Sequence, residues 1–215
     1  MIDDFGLERL VSPLLNWYQD NARTLPWRED ATPYRVWVSE IMLQQTRVEA
    51  VKPYFARFMD ALPDAASLAA CPEDQLLKLW EGLGYYNRVR NMQKAAIEVM
   101  EQYDGVLPAD YEKLLKLKGI GSYTAGAIAS IAYGIPVPAV DGNVFRVLTR
   151  VTADDTDIMK ASFRKKVESE LLAMMEKQAG TFSPGAWNQA LMELGATVCT
   201  PRGAKCGGCP LADIC

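Results

Sequence analysis

The sequence contains no histidine and no long hydrophobic run. Without histidine, a Ser-His-Asp mechanism and the usual binuclear zinc hydrolase are excluded, and proton transfer near neutral pH must come from carboxylates, tyrosine, lysine or cysteine. No apolar run approaches the roughly 18 residues of a transmembrane helix, so we expect no membrane association. The first ten residues, MIDDFGLERL, are acidic and lack the apolar region of a secretory signal, so we expect an intracellular protein.

The composition is that of a globular protein with an all-α fold. The 215 residues are 49% hydrophobic and 23% charged, enough for one large domain or two lobes. The net charge of -4 argues only weakly against a nucleic-acid partner, because phosphate binding depends on a local basic face. Apolar residues recur at helical spacing and no segment alternates like a strand. We predict helices at 7–18, 33–45, 47–59, 72–81, 86–103, 110–116, 122–133, 142–151, 160–178 and 185–197.

A glycine-rich turn separates two of these helices in the stretch LKLKGIGSYTAGAIAS, residues 115–130. Gly119 and Gly121 permit a tight turn whose backbone N–H groups point outward at the start of the next helix. Such a turn can bind a DNA phosphate without sequence specificity. It can equally be a packing corner that binds nothing, since glycines serve both purposes.

Two carboxylates stand out from the remaining charges. Glu40 lies among apolar residues in VWVSEIML, where burial would raise its pKa and suit a general acid, although most helical glutamates are exposed. Asp141 precedes a helix in VPAVDGNVFRVLTR and is either its N-cap or a carboxylate at the rim of a groove. Arg146 and Arg150, one turn apart, would give that helix a basic side.

Four of the five cysteines fall in CTPRGAKCGGCPLADIC, residues 199–215, with the spacing C-x6-C-x2-C-x5-C. An intracellular protein with such a cluster is expected to bind a metal before it forms disulfides. Four thiolates suit either zinc or a [4Fe–4S] cluster. The compact spacing favours the cluster without deciding the metal. The predicted ligands are Cys199, Cys206, Cys209 and Cys215.

Several motifs together resemble the helix-hairpin-helix DNA glycosylases, and within them the MutY-type adenine DNA glycosylases. The resemblance covers essentially the whole chain. It implies an all-α, two-lobed fold with a C-terminal four-cysteine iron–sulfur motif. One lobe, a six-helix barrel with the hairpin, would span 29–136, and the cluster lobe would comprise 1–28 and 137–215. Glu40 would face Asp141 across the groove between the two lobes. The motifs are LPWR at 25–28, TPYRVWVSEIMLQQT at 32–46, LWEGLGYYNRVRN at 79–91, the hairpin at 117–125, VDGNVFRVL at 140–148, WNQALMELGA at 187–196 and the cysteines.

The resemblance also implies an enzyme that cuts the N-glycosidic bond of adenine opposite 8-oxoguanine or guanine in double-stranded DNA. Glu40 would protonate N7 of adenine, ionised Asp141 would stabilise the oxocarbenium-like sugar, and Asn143 would orient Asp141. Bifunctional endonuclease III-like members carry a lysine at the position of Tyr123, so a monofunctional enzyme is expected. A thymine-mismatch glycosylase, which can also carry tyrosine there, is the near alternative. A non-catalytic DNA-binding module with a zinc knuckle is the distant one.

The resemblance further implies that Gln45 and Tyr85 wedge into the duplex. If the cysteines hold a [4Fe–4S] cluster, the loop between Cys199 and Cys206 would present Arg202 and Lys205 to the DNA backbone. The alternative is a purely structural role for the loop, with these two charges incidental. Core packing is the alternative for Tyr85 and for Trp27. We expect a monomer in the cytoplasm or nucleoid of a bacterium. Such relatives usually carry a C-terminal domain that recognises 8-oxoguanine, and we expect this chain to lack it. Its preference for 8-oxoguanine over guanine opposite the adenine should therefore be weaker. The adenine pocket would be lined by Arg23, Leu25, Trp27, Arg28 and Gln189, although Arg23 and Arg28 could equally be solvated charges of a loop.

Overall fold

The computed structural model describes residues 5–215, which form α-helices joined by short turns, with no β-strand among them. The expectation of an all-α fold is confirmed. None of the helices in this part of the chain is long and apolar enough to cross a membrane. The α-helices are α1 Val11–Asn21, α2 Pro26–Glu29, α3 Pro33–Leu43, α4 Val48–Ala61, α5 Ala65–Ala70, α6 Glu73–Trp80, α7 Asn87–Gln102, α8 Tyr111–Lys116, α9 Ser122–Ala127, α10 Gly142–Val151, α11 Ala161–Lys177 and α12 Pro184–Thr197.

The observed helices differ from the predicted ones in a few places. The first begins as a 3-10 turn at Leu7–Leu10, and α9 continues as a π-helical turn at Ile128–Ala132. Sequence periodicity misses α2 and α5, because four and six residues are too few to show it. A local signal for α5 exists, since Asp64 and Ser67 form a capping box at its start.

The chain divides into two compact units, a central unit of Thr24–Tyr133 and a terminal unit of Met1–Arg23 with Gly134–Cys215. The first four residues of the terminal unit lie outside the described residues. The sequence predicts the boundaries after residues 28 and 136, a few residues later. Helix α2 belongs to the central unit because it packs against α3 and α4. Tyr133 belongs there as well, since its hydroxyl donates a hydrogen bond to the carbonyl of Leu107, and Gly134 then turns the chain at φ 66°.

The central unit is built around α3, most of which is buried. Every residue from Val36 to Met42 is buried, and Trp37 is completely inaccessible. Helix α3 begins as the sequence predicts, with Thr32 accepting a hydrogen bond from the backbone N–H of Arg35 and proline at the first helical position. The unit contains α2 to α9, two more helices than the predicted six, because α2 and α5 were not predicted.

The terminal unit has its own apolar core, formed by the first 3-10 turn and by α1, α10, α11 and α12. Helix α10 contributes five buried residues at helical spacing: Val144, Phe145, Val147, Leu148 and Val151. Helices α10 and α12 approach closely where Gly195 faces Asn143. A Cβ atom on Gly195 would lie 2.6 Å from the Cβ and 3.1 Å from the Cα of Asn143. The glycine is therefore required by the close approach of the two helices.

Replacing Gly195 by alanine should push α12 away from Asn143. Overpacking of this kind typically costs about 1–3 kcal/mol, and urea unfolding of the variant measures it. Gly142→Ala is the matched control, because a Cβ there would meet no atom within 4 Å. We expect Gly142→Ala to keep or increase the free energy of unfolding. Equal stability of Gly195→Ala and the wild type would contradict the close approach.

Candidate active site

Helix α3 places Glu40 inside the central unit. The residue is only 6% exposed, so the buried alternative for this glutamate is correct and the exposed one is wrong. Tyr123, near the start of α9, donates a hydrogen bond from its hydroxyl to Oε2 of Glu40 at 2.5 Å. The helices bring them together because α3 packs directly on α9 and on the π-helical turn that follows it. A buried carboxyl group is thereby held in contact with a phenol.

Asp141 caps the N-terminus of α10. Its Oδ1 accepts hydrogen bonds from the backbone N–H groups of Asn143 at 2.9 Å and Val144 at 2.8 Å. Its Oδ2 accepts from the side-chain amide of Asn143 at 2.7 Å, the bond that the resemblance implies. The N-cap interpretation is confirmed. Since both oxygens are held, the cap also fixes the orientation of the carboxylate.

Arg146 does not form a solvated basic side of α10, as the sequence suggested. Its guanidinium is partly buried and donates to Oδ1 of Asn143 at 2.7 Å, to the carbonyl of Gly195 at 2.7 Å and to the carbonyl of Cys199 at 2.8 Å. A chain of hydrogen bonds therefore runs from the Asp141 carboxylate through Asn143 and Arg146 to the first cysteine of the closing loop. The partners lie up to 53 positions away, so helical spacing could not reveal them.

Asn188 was also missed by sequence reasoning, which selected its neighbour Gln189. Asn188 is 1% exposed. Its Oδ1 accepts from the backbone N–H of Ala139 at 3.1 Å, and its Nδ2 donates to the carbonyl of Val137 at 2.9 Å. It therefore holds the extended segment that leads into Asp141. The signal available in the sequence was an amide next to Trp187 on a largely apolar helix.

The closing cysteine loop is attached to the core of the terminal unit. Cys199 and Cys209 pack against that core, and none of the four cysteines forms a disulfide. Arg150 donates to the carbonyl of Thr200 at 2.8 Å and to Sγ of Cys199 at 3.4 Å. Arg150 thus holds the start of the loop, and it is exposed, so its contribution to a basic side of α10 stays a prediction.

The Cys209 thiol interacts electrostatically with the other three thiols of the loop. Burial is the main cause that raises the pKa of the Cys209 thiol; the hydrogen bond with the Leu211 backbone lowers this pKa, and Cys199, Cys215 and Cys206 each raise it by less. Within residues 5–215, no group of three or more His, Cys, Asp or Glu side chains is arranged to hold a metal ion. The donor set itself, four thiols around one segment, fits a thiolate-bound metal or cluster.

The residues predicted to line an adenine pocket have diverse surroundings. Leu25 and Trp27 are core residues, 3% and 6% exposed, and Trp27 packs edge-on against Phe55 with ring centroids 5.4 Å apart. Arg28 and Gln189 are half-buried. Trp27 therefore packs in the core, as the alternative interpretation holds. That these residues line an adenine pocket stays a prediction.

Arg23, the remaining predicted pocket residue, pairs with a carboxylate that sequence reasoning missed. Its Nε and Nη2 donate to the two oxygens of Glu193 at 2.5 and 3.1 Å. The Glu193 side chain is fully buried. The signal available was a glutamate on the apolar helix α12. The pair joins the end of α1 to α12 within the terminal unit.

The residues predicted to contact DNA are all exposed at turns. Gln45, Tyr85 and the loop cations Arg202 and Lys205 are accessible, so core packing is wrong for Tyr85, which is 67% exposed.

In the hairpin between α8 and α9, Gly119 has φ 80°, a conformation that favours glycine, and a Cβ there would lie 2.9 Å from the Cβ of Asn91. Gly121 is extended and caps α9, so only Gly119 needs glycine for the turn. Lys118, also exposed, adds a cation beside the hairpin.

Comparisons with known proteins agree with this architecture. Residues 38–173 match the HhH-GPD superfamily of base excision DNA repair proteins. The chain is 41% identical to an adenine DNA glycosylase of Buchnera aphidicola subsp. Schizaphis graminum over 94% of its own length and 57% of that protein. It is 44% identical to the adenine DNA glycosylase of Homo sapiens over 94% of its length and 38% of the human protein. The chain thus spans about half the length of the curated relatives it matches.

A solved structure shares the fold along nearly the whole chain. The structure of a thermostable thymine-DNA glycosylase superposes with a TM-score of 0.85 at 25% identity, covering 97% of this chain and 94% of that one. The match to the family model extends over more than half of the chain and includes the second half of α3 with Glu40, the hairpin and α10. The expected resemblance to helix-hairpin-helix DNA glycosylases is therefore confirmed, and the chain belongs to the HhH-GPD superfamily of base excision DNA repair proteins.

Proposed function

We propose that the protein is a monofunctional DNA glycosylase that hydrolyses the N-glycosidic bond of adenine mispaired with 8-oxoguanine or guanine in double-stranded DNA. The observation that carries the proposal is the contact between buried Glu40 and the hydroxyl of Tyr123. A phenol stands at the position where the bifunctional relatives are expected to have their lysine, and it cannot form a Schiff base with the sugar. The similarity to curated adenine DNA glycosylases selects adenine as the base.

Removal of adenine requires a proton on the departing base and stabilisation of a positively charged sugar. Paired carboxylates in different surroundings supply both in glycoside hydrolysis. Glu40 is the proposed acid, because its carboxyl group is buried and accepts a hydrogen bond from the hydroxyl of Tyr123, near the hairpin. In this role Glu40 protonates N7 of adenine, and Tyr123 orients the carboxyl group.

Asp141 is the proposed partner that faces the sugar. Three N–H donors hold its carboxylate in one orientation at the N-terminus of α10. Backbone and amide donors do not neutralise the charge, so the carboxylate can stabilise an oxocarbenium-like sugar. Asn143 orients it, and Arg146 in turn orients Asn143.

Binding to the duplex is proposed to depend on exposed groups of both units. The hairpin glycines and Lys118 are accessible to a phosphate, and so are Arg202 and Lys205. Contacts of this kind are independent of sequence and weaken as salt increases. We infer that the protein acts as a monomer, since one chain supplies both carboxylates.

The four loop cysteines are proposed to hold a [4Fe–4S] cluster. The other three thiols interact electrostatically with that of Cys209, and Arg150 donates hydrogen bonds to the carbonyls of Cys199 and Thr200. A bound cluster would fix the loop that carries Arg202 and Lys205. The adenine chemistry itself is assigned to Glu40 and Asp141.

Treatment with alkali tests the proposed reaction. A duplex with adenine opposite 8-oxoguanine should be cut at the adenine only after alkali, because hydrolysis leaves an intact strand with an abasic site. Strand cleavage without alkali would contradict the monofunctional assignment. A thymine opposite guanine serves as the second substrate, since the fold is shared with a thymine-DNA glycosylase. Excision of thymine alone would show that the protein is a thymine-mismatch glycosylase. Excision of neither base would favour a non-catalytic DNA-binding module.

The variant Asp141→Asn separates the chemistry of this residue from its structural role. Asparagine is as good an N-cap as aspartate, so α10 should still begin at the same place. We expect thermal unfolding and duplex affinity close to those of the wild type, with a rate of excision reduced by about 10²- to 10³-fold, the scale of a lost electrostatic stabiliser. Full activity of Asp141→Asn would overturn the assigned role.

Absorbance identifies the metal. A protein carrying a [4Fe–4S] cluster is brown and absorbs near about 400 nm, whereas zinc, a d¹⁰ ion, gives no colour. We expect Cys199→Ser to lose iron and absorbance, and Cys71→Ser to keep both, because Cys71 belongs to the central unit and the predicted ligands do not. A colourless purified protein containing zinc would refute the cluster.

A further inference from the structure

Two turns of the central unit carry exposed residues in a backbone conformation that is rare for them. Gln45 follows α3 with φ 58°, and Tyr85 lies between α6 and α7 with φ 47°. Neither is a glycine, and both side chains are accessible. Strained residues of this kind persist only where the surrounding structure fixes them, and they cluster at functional sites.

A single guanidinium holds both turns. Nη1 of Arg88 donates to the carbonyl of Gln44 at 2.5 Å, and Nη2 donates to the carbonyls of Leu83 at 3.0 Å and Gly84 at 3.3 Å. Gln44 and Gly84 are the residues immediately before Gln45 and Tyr85. Arg88 therefore fixes the peptide groups from which the two strained residues project.

The same guanidinium also connects the turns to α3. Nη1 donates to the carbonyls of Ile41 at 2.8 Å and Met42 at 3.3 Å, in the last turn of the helix, where carbonyls have no partner further along the helix. The Arg88 guanidinium carbon lies 5.4 Å from the centre of the Trp80 ring and 5.6 Å from that of Tyr85. A lysine could not reproduce this arrangement, because its ammonium group lacks the planar fork of donors.

We propose that Arg88 is a positioning residue that joins the turns of Gln45 and Tyr85 into one rigid wedge for the DNA duplex. An exposed aromatic ring and an exposed amide on adjoining turns suit insertion between stacked bases, and a wedge must be rigid to separate them. Arg88 itself acts through the backbone and contacts no base. The proposal rests on the proposed glycosylase function and adds the group that prepares the duplex for base extrusion.

Base extrusion and excision in variants of Arg88 test the proposal. The variants are Arg88→Lys and Arg88→Met, and the matched control is Arg57→Met. Arg57 is an exposed arginine of the same unit that donates to one carbonyl, that of Leu79, and lies over the ring of Tyr54. Extrusion is measured by the fluorescence of 2-aminopurine placed at the target position opposite 8-oxoguanine. Excision is measured in a single turnover on two substrates, a mispaired adenine in a duplex and an unpaired adenine in a bulge.

We expect Arg88→Lys to excise the mispaired adenine roughly 10- to 100-fold more slowly, the penalty typical of about 1 Å of misplacement. The bulged adenine should lose less than about threefold, because an unpaired base costs little to extrude. The fluorescence increase should fall in parallel with the rate on the duplex. Arg57→Met should match the wild type on both substrates.

Equal slowing on both substrates would mean that Arg88 only supports the fold, and would overturn the proposal. Unchanged extrusion and excision in Arg88→Lys would overturn it as well. If Arg88→Met does not fold, the lysine variant still decides, because it keeps the charge and the aliphatic stem. If the wild type excises no adenine from either substrate, the proposed function fails. The wedge can then still be tested by comparing the 2-aminopurine fluorescence of the duplex bound to Arg88→Lys with that of the duplex bound to the wild type.

Discussion

The guanidinium of Arg146 fixes the terminal unit at the point where three distant segments meet. Its hydrogen bonds to Asn143, Gly195 and Cys199 connect the start of α10, the end of α12 and the cysteine loop. Asn143 donates to Asp141, so the position of that carboxylate depends on all three segments. The bonds require α10 and α12 to lie close together, which is why a glycine stands opposite Asn143. Removal of any one partner would leave buried carbonyl or amide groups unsatisfied.

The central unit uses a second arginine in the same way. Arg88 binds the last carbonyls of α3 and those of two neighbouring turns, while Glu40 lies immediately before Ile41 in α3 and is contacted by Tyr123. Arginine suits both positions, because its donors form a planar fork and it stays charged when partly buried. In each unit, then, a proposed catalytic carboxylate lies next to a helix end that an arginine holds. Both arginines are bound to the protein itself, so the cations proposed for DNA are the exposed ones on the loops.

The sequence was informative wherever a local rule applies. Helix periodicity, the Thr32 cap with Pro33, the glycines of the hairpin and the Asp141 cap all act within a few residues, and the structure contains each of them. Arg88 and Arg146 could not be recognised, because each also binds backbone carbonyls 44 to 53 residues away, and such a carbonyl can belong to any residue type. The burial of Glu40 could be suspected but not decided, since it depends on how α9 packs on α3. The pairing of Arg23 with Glu193 spans 170 residues and was likewise inaccessible.

The direct test of the Arg146 network is a double-mutant cycle between Asn143→Ala and Arg146→Met. The rate of adenine excision is measured in a single turnover for each variant, and the free energy of unfolding is measured in parallel. If Arg146 acts on Asp141 through Asn143, the two losses of activity overlap. The double variant should then be hardly slower than the slower single variant, with a coupling energy of about 1–3 kcal/mol. Losses that multiply independently, at comparable stability of all variants, would contradict the idea that this one hydrogen-bond chain holds the catalytic carboxylate.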